Sequence, residues 1–431
     1  MANASSIVCV KDIILADAQA KYIVVSAPGK RTKADVKVTD LLVQCYNEKT
    51  AAAKVAVLKK VRERFNNIIK DLSIDVSFDG EFDALERSAL DVSYDFLVSR
   101  GEYFTARLLA AYLGYAFVDA AEFVRFCGKS FDAETTDKLG KEALLPHTGG
   151  VVIPGFYGTD NAGEVVAFSR GGSDISGAIV ARAVGAEVYE NWTDVDGFMV
   201  CDPRVVENPR IIDMLTYKEL RELSYMGASV LHPESVFPVR TCNIPINIRN
   251  TFSPSVPGTF IVPTKYFKKG QYKRECRIIT GIAGQKDFTG IFIEKQMMNG
   301  EVGFIKALMD ILYEYGISLE HMPTGIDTVT LVIDSHGIPE KTLADAVEKI
   351  KRSCRPDDIE VQNGIALIAV VGHGMASIKG TASRVCGALS SADINIRMID
   401  QGSSELNIIV AVDNADYEKA VCSLYNEFET D

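Results

Sequence analysis

Short apolar runs alternate with helically spaced stretches from the start of the chain to about Pro263, and this alternation constrains the fold more than any other feature. Tyr22-Ile-Val-Val-Ser26 precedes the helical spacing of Thr39-Asp-Leu-Leu-Val-Gln-Cys45. Gly150-Val-Val-Ile-Pro154 precedes a helical pattern over Ser173 to Val184, and Glu187-Val-Tyr-Glu190 is the next strand-like run. Strands alternating with helices predict an α/β fold, a mostly parallel sheet sandwiched by helices. Such sheets take ligands at the carboxyl ends of their strands, so the glycine-rich turns there should carry the site.

The rest of the chain holds an internal repeat. Ile278-Ile-Thr-Gly-Ile-Ala, Gly303, a helical stretch from Phe304 to Tyr315, Gly316-Ile-Ser-Leu319 and Val329-Thr-Leu-Val-Ile333 form one copy. Ile365 to Val371, Gly380, Thr381 to Ser391, Asp393-Ile-Asn-Ile396 and Ile408 to Val412 form the other. Each copy reads as strand, helix, strand, strand, with a closing helix over Leu343 to Arg352 or Ala415 to Phe428. That is a small α+β module used twice. The basic stretch from Lys265 to Arg277 reads as a linker before it.

Composition excludes several functions. The chain has 431 residues, enough for two or three domains, and its 47% hydrophobic content suits buried cores. No apolar run reaches the about 20 residues a membrane helix needs, and the first residues do not read as a secretion signal. The nine cysteines are scattered singly without a Cys-x-x-Cys pair. Neither a disulfide framework nor a zinc site is expected, and reduced thiols fit a cytoplasmic protein. None of the five histidines falls in a His-Glu-x-x-His pattern, so no metal-ligating set is predicted. A net charge of -12 argues against nucleic acid as a partner.

The segment Phe168-Ser-Arg-Gly-Gly-Ser-Asp-Ile-Ser-Gly177 carries the strongest chemical signal. Gly171 and Gly172 allow close approach of a ligand, Ser173 and Asp174 open a helix whose N-terminus suits an anion, and Arg170 offers a planar fork to a carboxylate or phosphate. A capped glycine turn with a surface arginine would give the same residues. Trp192-Thr-Asp-Val-Asp-Gly-Phe-Met-Val-Cys-Asp-Pro-Arg204 packs carboxylates into one loop, as a magnesium shell or an acidic surface turn would. Ser26-Ala-Pro-Gly-Lys-Arg31 is a strand end followed by a cationic turn. In Leu97-Val-Ser-Arg-Gly-Glu102, Glu102 is expected to begin a helix behind a glycine, placed to hold an ammonium group or only to serve the helix dipole. His232, before Pro233, reads as a turn or packing residue. Gly372-His-Gly-Met-Ala lacks a full dinucleotide fingerprint, and no Walker A pattern exists, so an ATP user here belongs to a non-P-loop class.

Taken in order, these segments resemble the aspartokinases of the amino-acid kinase family. The resemblance covers nearly the whole chain. It rests on Tyr22-Ile-Val-Val-Ser-Ala-Pro-Gly-Lys30, Val38-Thr-Asp-Leu-Leu42, Arg100-Gly-Glu102, Ser169-Arg-Gly-Gly-Ser-Asp174, Thr193-Asp-Val-Asp-Gly197, Asp202-Pro-Arg204 and Gly227-Ala-Ser-Val-Leu-His-Pro233. The repeat resembles the paired, ferredoxin-like ACT modules of that family. The resemblance implies a kinase domain over residues 1–263 and ACT modules over 276–355 and 360–431.

It also implies a reaction: MgATP and L-aspartate give 4-phospho-L-aspartate and ADP. By position, Arg170 clamps the α-carboxylate, Glu102 holds the ammonium group, and Ser26, Thr39 and Ser173 line the acceptor pocket. Gly171 and Gly172 turn backbone N–H groups toward the reacting end, and Asp174 organises neighbouring cations. Thr193, Asp194, Met199, Arg204, Ser229 and Val230 contact the nucleotide. Ser229 stands where the family usually has lysine. Effector contacts fall at Met298, Gly303, Phe304, Ile305, Leu319 and Glu320, with lysine, threonine or both as the effector and a homodimer or homotetramer as the assembly.

The family's opening Lys-Phe-Gly-Gly motif has no counterpart here, and Met1-Ala-Asn-Ala resembles the residues that normally come directly after that motif. The true start is therefore expected upstream, with a central strand and a phosphate-neutralising lysine. A non-catalytic amino-acid sensor and a kinase for glutamate or acetylglutamate are the alternative readings. A fusion to homoserine dehydrogenase does not fit the length.

Overall fold

The structure is a computed structural model, and it describes every residue except Arg170, Ser229, Val230, His232, 269–276 and 430–431. The first elements are α1 (Ala4–Ala16), β1 (Tyr22–Val25), α2 (Val38–Asn47), α3 (Ala51–Leu72), α4 (Asp79–Arg87) and α5 (Tyr94–Leu113). Next come β2 (Ala116–Phe117), β3 (Phe126–Cys127), β4 (Ser130–Phe131), α6 (Ala133–Leu144), β5 (Val151–Pro154), β6 (Tyr157–Thr159) and β7 (Val165–Ala167). After these come α7 (Gly172–Val184), β8 (Tyr189–Thr193), β9 (Met214–Thr216), α8 (Tyr217–Tyr225), α9 (Phe237–Cys242), β10 (Ile246–Asn250), β11 (Thr259–Val262) and α10 (Thr264–Lys268). The chain goes on through β12 (Gly281–Glu294), α11 (Phe304–Glu314), β13 (Leu319–His321), β14 (Thr328–Asp334) and α12 (Glu340–Cys354). It closes with β15 (Asp358–Val371), α13 (Thr381–Ser391), β16 (Met398–Asp400), β17 (Asn407–Asp413) and α14 (Tyr417–Glu429).

These elements form two compact units, Met1–Gly197 with Val230–Tyr272, and Phe198–Ser229 with Lys273–Asp431. In the first unit β1 and β2 flank β5 in parallel, and β8 runs parallel to β10. β11 pairs antiparallel with β10. Helices pack on these strands through a core that includes Phe65, Phe78, Phe82 and Phe104, all inaccessible to solvent or nearly so. The helix starts are locally encoded. Thr50, Ser93 and Asp132 accept N–H bonds at the heads of α3, α5 and α6, which satisfies donors that a helix leaves unpaired.

In the second unit the two modules share one six-stranded sheet, ordered β13-β14-β12-β15-β17-β16. β12 and β15 are each long enough to serve both. Phe288–Glu294 pairs with β14, while Gly281–Gln285 pairs only with Leu367–Val371, the half of β15 that also pairs with β17. The second module therefore takes a strand from upstream of the first. Boundaries at 276–355 and 360–431 divide the chain between helices but not the sheet. Gly303 and Gly380 head α11 and α13 with φ of 94° and 90°, a left-handed backbone that explains the shared glycine. The strand expected over Asp393–Ile396 lies slightly later, at β16, because pairing with β17 sets its place. No helix among the described residues is long and apolar enough to cross a membrane.

Candidate active site

The first unit gathers several chemistry-bearing segments at its strand ends. β1 ends at Val25 and Ser26 comes next; the Gly155 N–H after β5 donates to Val25 O at 3.0 Å. A Cβ on Gly155 would stand 2.9 Å from Ser173 Cα and 3.0 Å from Val25 O. Glycine thus lets the ends of β1 and β5 meet the first turn of α7. Gly171 heads α7 at φ 59° with no side-chain cap, and a Cβ on Gly172 would meet the Phe156 ring at 2.5 Å. Of the two glycines expected for chemistry, Gly171 is thereby also favoured by its backbone conformation and Gly172 by the packing of Phe156. On the other limb of the segment after β1, Thr39 sits in the first turn of α2, where the Val38 N–H donates to Pro28 O at 3.1 Å.

Asp174 is held from β8. Asn191 Nδ2 donates to its Oδ1 at 2.9 Å, and the Tyr189 hydroxyl donates to its carbonyl at 3.1 Å. Burial pushes the Tyr189 phenol well above its ordinary pKa, so it stays a donor. Asn191 was not expected from the sequence; the signal for it is the alternation that puts Tyr189, Asn191 and Thr193 on one side of the strand. Gly155 was missed as well, although it directly follows the strand-ending Pro154. Thr193 Oγ1 donates to Asp194 Oδ1 at 3.2 Å, and its carbonyl accepts the Thr251 N–H at 2.9 Å.

Glu102 departs from expectation. It lies in the middle of α5, not at a helix start, because Ser93 caps the helix and Gly101 is accommodated within it. The absent Gly101 side chain makes room for the segment after β1, since a Cβ would approach Ala27 Cβ at 2.7 Å. Helix-dipole service at a first turn is therefore excluded. The carboxylate is 4% exposed, and its Oε1 accepts the Ala27 N–H at 3.1 Å. Its Oε2 is buried with no hydrogen-bond partner among the described residues. Burial pushes the pKa up to about 8, against the opposing pull of the Ala27 N–H and of the Arg100 charge. An orphaned buried carboxylate oxygen favours a cationic donor from a ligand.

Other predicted residues belong to the second unit or lie outside the described residues. Met199 and Arg204 belong to the second unit. Arg204 is exposed and forms a bidentate pair with Asp202, 2.6 Å at its shortest, which holds the Asp202 carboxyl below its usual range. Arg170, Ser229, Val230 and His232 lie outside the described residues. Met298 and Phe304 are buried at the head of α11, with Gly303 and Ile305 beside them, and Leu319 and Glu320 lie in β13. The Tyr225 hydroxyl donates to Glu320 Oε2, within the second unit. No group of three or more possible metal ligands exists among the described residues.

Residues 8–250 match the amino acid kinase family and residues 368–428 match an ACT domain, so the chain belongs to the amino acid kinase family. Within it the chain groups with the aspartokinases. It is 38% identical to aspartokinase 3 of Bacillus subtilis over 96% of this chain and 94% of that one. The aspartate kinase of Clostridium acetobutylicum superposes with a TM-score of 0.90 at 47% identity, covering 99% and 97% of the two chains. E. coli aspartokinase III, solved with aspartate and ADP and also with lysine and aspartate, superposes at 0.74, with 26% and 27% identity and the same coverage.

Proposed function

We infer that the chain is an aspartate kinase, transferring the γ-phosphoryl group of ATP to the side-chain carboxylate of L-aspartate. A carboxylate oxygen of aspartate forms the new P–O bond, the bond from the γ-phosphorus to the β,γ-bridging oxygen breaks, and ADP leaves. An ionised nucleophile needs no base, so the protein supplies position and charge. The observation that carries the reading in this chain is the unpartnered Oε2 of Glu102, a place for the substrate ammonium. Ser26, Thr39 and Ser173 line the acceptor pocket, Arg170 takes the α-carboxylate, and Gly171 and Gly172 free the backbone of α7 for the reacting end. Thr193 and Asp194 contact the nucleotide. Mg2+, when bound with the nucleotide, would neutralise phosphate charge. Asp174, fixed by Asn191, orders the cations around it.

The ACT modules sense an amino acid, lysine, threonine or both, and the enzyme carries out the first step of lysine, threonine and methionine biosynthesis in the cytoplasm. Aspartate with ADP, and lysine with aspartate, in the E. coli relative support this reading. Met297, Val302 and Ile326 are highly exposed around Met298 and Gly303, and the Asn299 N–H donates to Ile326 O at 3.2 Å. An apolar patch of this kind supports a homodimer or homotetramer formed there. Acyl phosphate trapped with hydroxylamine tests the function: turnover of L-aspartate is expected. Turnover of glutamate or acetylglutamate in its place overturns the assignment.

A further inference from the structure

We propose that Arg64, a residue of α3, is a positioning residue for the aspartate pocket, acting as a clamp on the segment between Ser26 and Thr39. The proposal rests on the aspartate-kinase reading and extends its acceptor site. Arg64 is 4% exposed. Its Nη1 donates to Val36 O at 2.9 Å and pairs with Asp35 Oδ2 at 3.0 Å. Its Nη2 donates to Gly29 O and to Ala2 O, the latter at 3.3 Å. One guanidinium thus grips the outgoing limb of the segment at Gly29 and the returning limb at Val36. Arg31 closes the same knot from outside, with Nε 2.8 Å from Asp35 Oδ2 and Nη2 3.0 Å from Oδ1.

The consequence lies at the neck. Residues 26–37 belong to no helix or strand; their local bonds, Asp35 N–H to Thr32 O at 3.1 Å and Arg31 N–H to Asp35 Oδ2 at 2.9 Å, close only the tip and do not join the limbs at Gly29 and Val36. With Gly29 and Val36 tied to one rigid planar group, the Val38 N–H reaches Pro28 O, and the neck closes between Ser26 and Thr39. The same closure holds Ala27, whose N–H fixes Oε1 of Glu102. Three residues that handle aspartate are therefore set by one side chain that touches none of it. A lysine there has a point charge and no fork, and cannot bridge both limbs.

Arg64→Lys is the test. We expect KM for aspartate to rise roughly 10-fold or more, with KM for ATP and kcat per folded protein within about 3-fold, as displaced acceptor contacts require. Hydrogen exchange at the Ala27 and Val38 amides should quicken in the variant, while amides of β5 keep their protection. Asp35→Asn, which leaves α3 intact, should give the same pattern more weakly and decides the matter if Arg64→Lys does not fold. Unchanged KM for aspartate and unchanged amide protection in whichever variant folds would overturn the proposal. Loss of aspartate turnover in the unaltered enzyme would instead overturn the functional reading, and the amide protection still judges the clamp.

Discussion

Glu102 is a buried acid with a pKa of about 8, against 4.5 for an ordinary glutamate. Between those values the folded protein holds a proton that the unfolded chain releases. Folding stability without substrate therefore falls as pH rises through that window. Glu102→Gln should flatten the dependence of Tm on pH between 5 and 8; identical slopes in the two proteins would show that the carboxyl ionises freely. Aspartate binding has a linked consequence. An ammonium group at Oε2 favours the carboxylate, so binding near neutral pH should expel a proton in the parent and none in the glutamine variant. Calorimetry in two buffers of different ionisation enthalpy reads this directly. At this scale the sequence singled out Glu102, Asp174 and the glycines of α7 as candidates because each sits in a short distinctive motif, although Glu102 lies inside α5 and not at the helix start expected for it. It did not make Asn191 or Arg64 legible, because neither lies in a motif and each acts on a residue far away in the chain.

α5 and α8 show how one helix ties together segments distant in the chain. α5 meets the segment after β1 at Gly101, where a Cβ would crowd Ala27, and at Glu102, which accepts the Ala27 N–H. Gly101→Ala should cost about 1–3 kcal/mol of stability through overpacking and weaken aspartate binding, measured by Tm and KM together. α8 is tied within the second unit to both modules. Its Glu219 is inaccessible to solvent and accepts from Thr280 Oγ1 and from the His373 N–H at 3.1 Å. Glu222 accepts from Asn407 Nδ2 at 2.7 Å, and Tyr225 donates to Glu320 in β13. A displacement of β13 would strain the bond that Tyr225 of α8 makes to Glu320. Tyr225→Phe should change the effector concentration for half-inhibition by about 2- to 5-fold, the worth of one hydrogen bond, with activity in the absence of effector retained. An unaltered inhibition curve would remove Tyr225 from the coupling.

At the scale of the molecule, the stretch 198–229 folds with the C-terminal modules. Phe198, Val200, Cys201, Leu220, Leu223 and Met226 are buried, and the Ile282 N–H of β12 donates to Val200 O at 2.6 Å. A protein ending at residue 263 should therefore be insoluble or aggregated, not an unregulated kinase, because it bares this apolar stretch. Gel filtration decides it; a monodisperse, active fragment would contradict the assignment. Inhibition by an effector bound at the modules is a coupling free energy of typically 1–3 kcal/mol, which limits the shift in apparent aspartate affinity to roughly 5- to 150-fold.

The sequence by itself determined the local elements and their punctuation. Apolar periodicity marked β1, β5, α2 and α7, and the recurrence of Gly303 at Gly380 marked two copies of one module, because these features are written in neighbouring residues. Only the tertiary structure decided what depends on partners distant along the chain. It placed Glu102 inside α5 against an amide 75 positions away, gave Asp174 its Asn191, and closed the Ser26 segment around Arg64. It also joined the modules into a single sheet through halves of β12 and β15 that the repeat pattern had assigned separately. Periodicity reports which face of an element is buried; burial of a charge, the pairing of an edge and the closure of a loop depend on which other element arrives there.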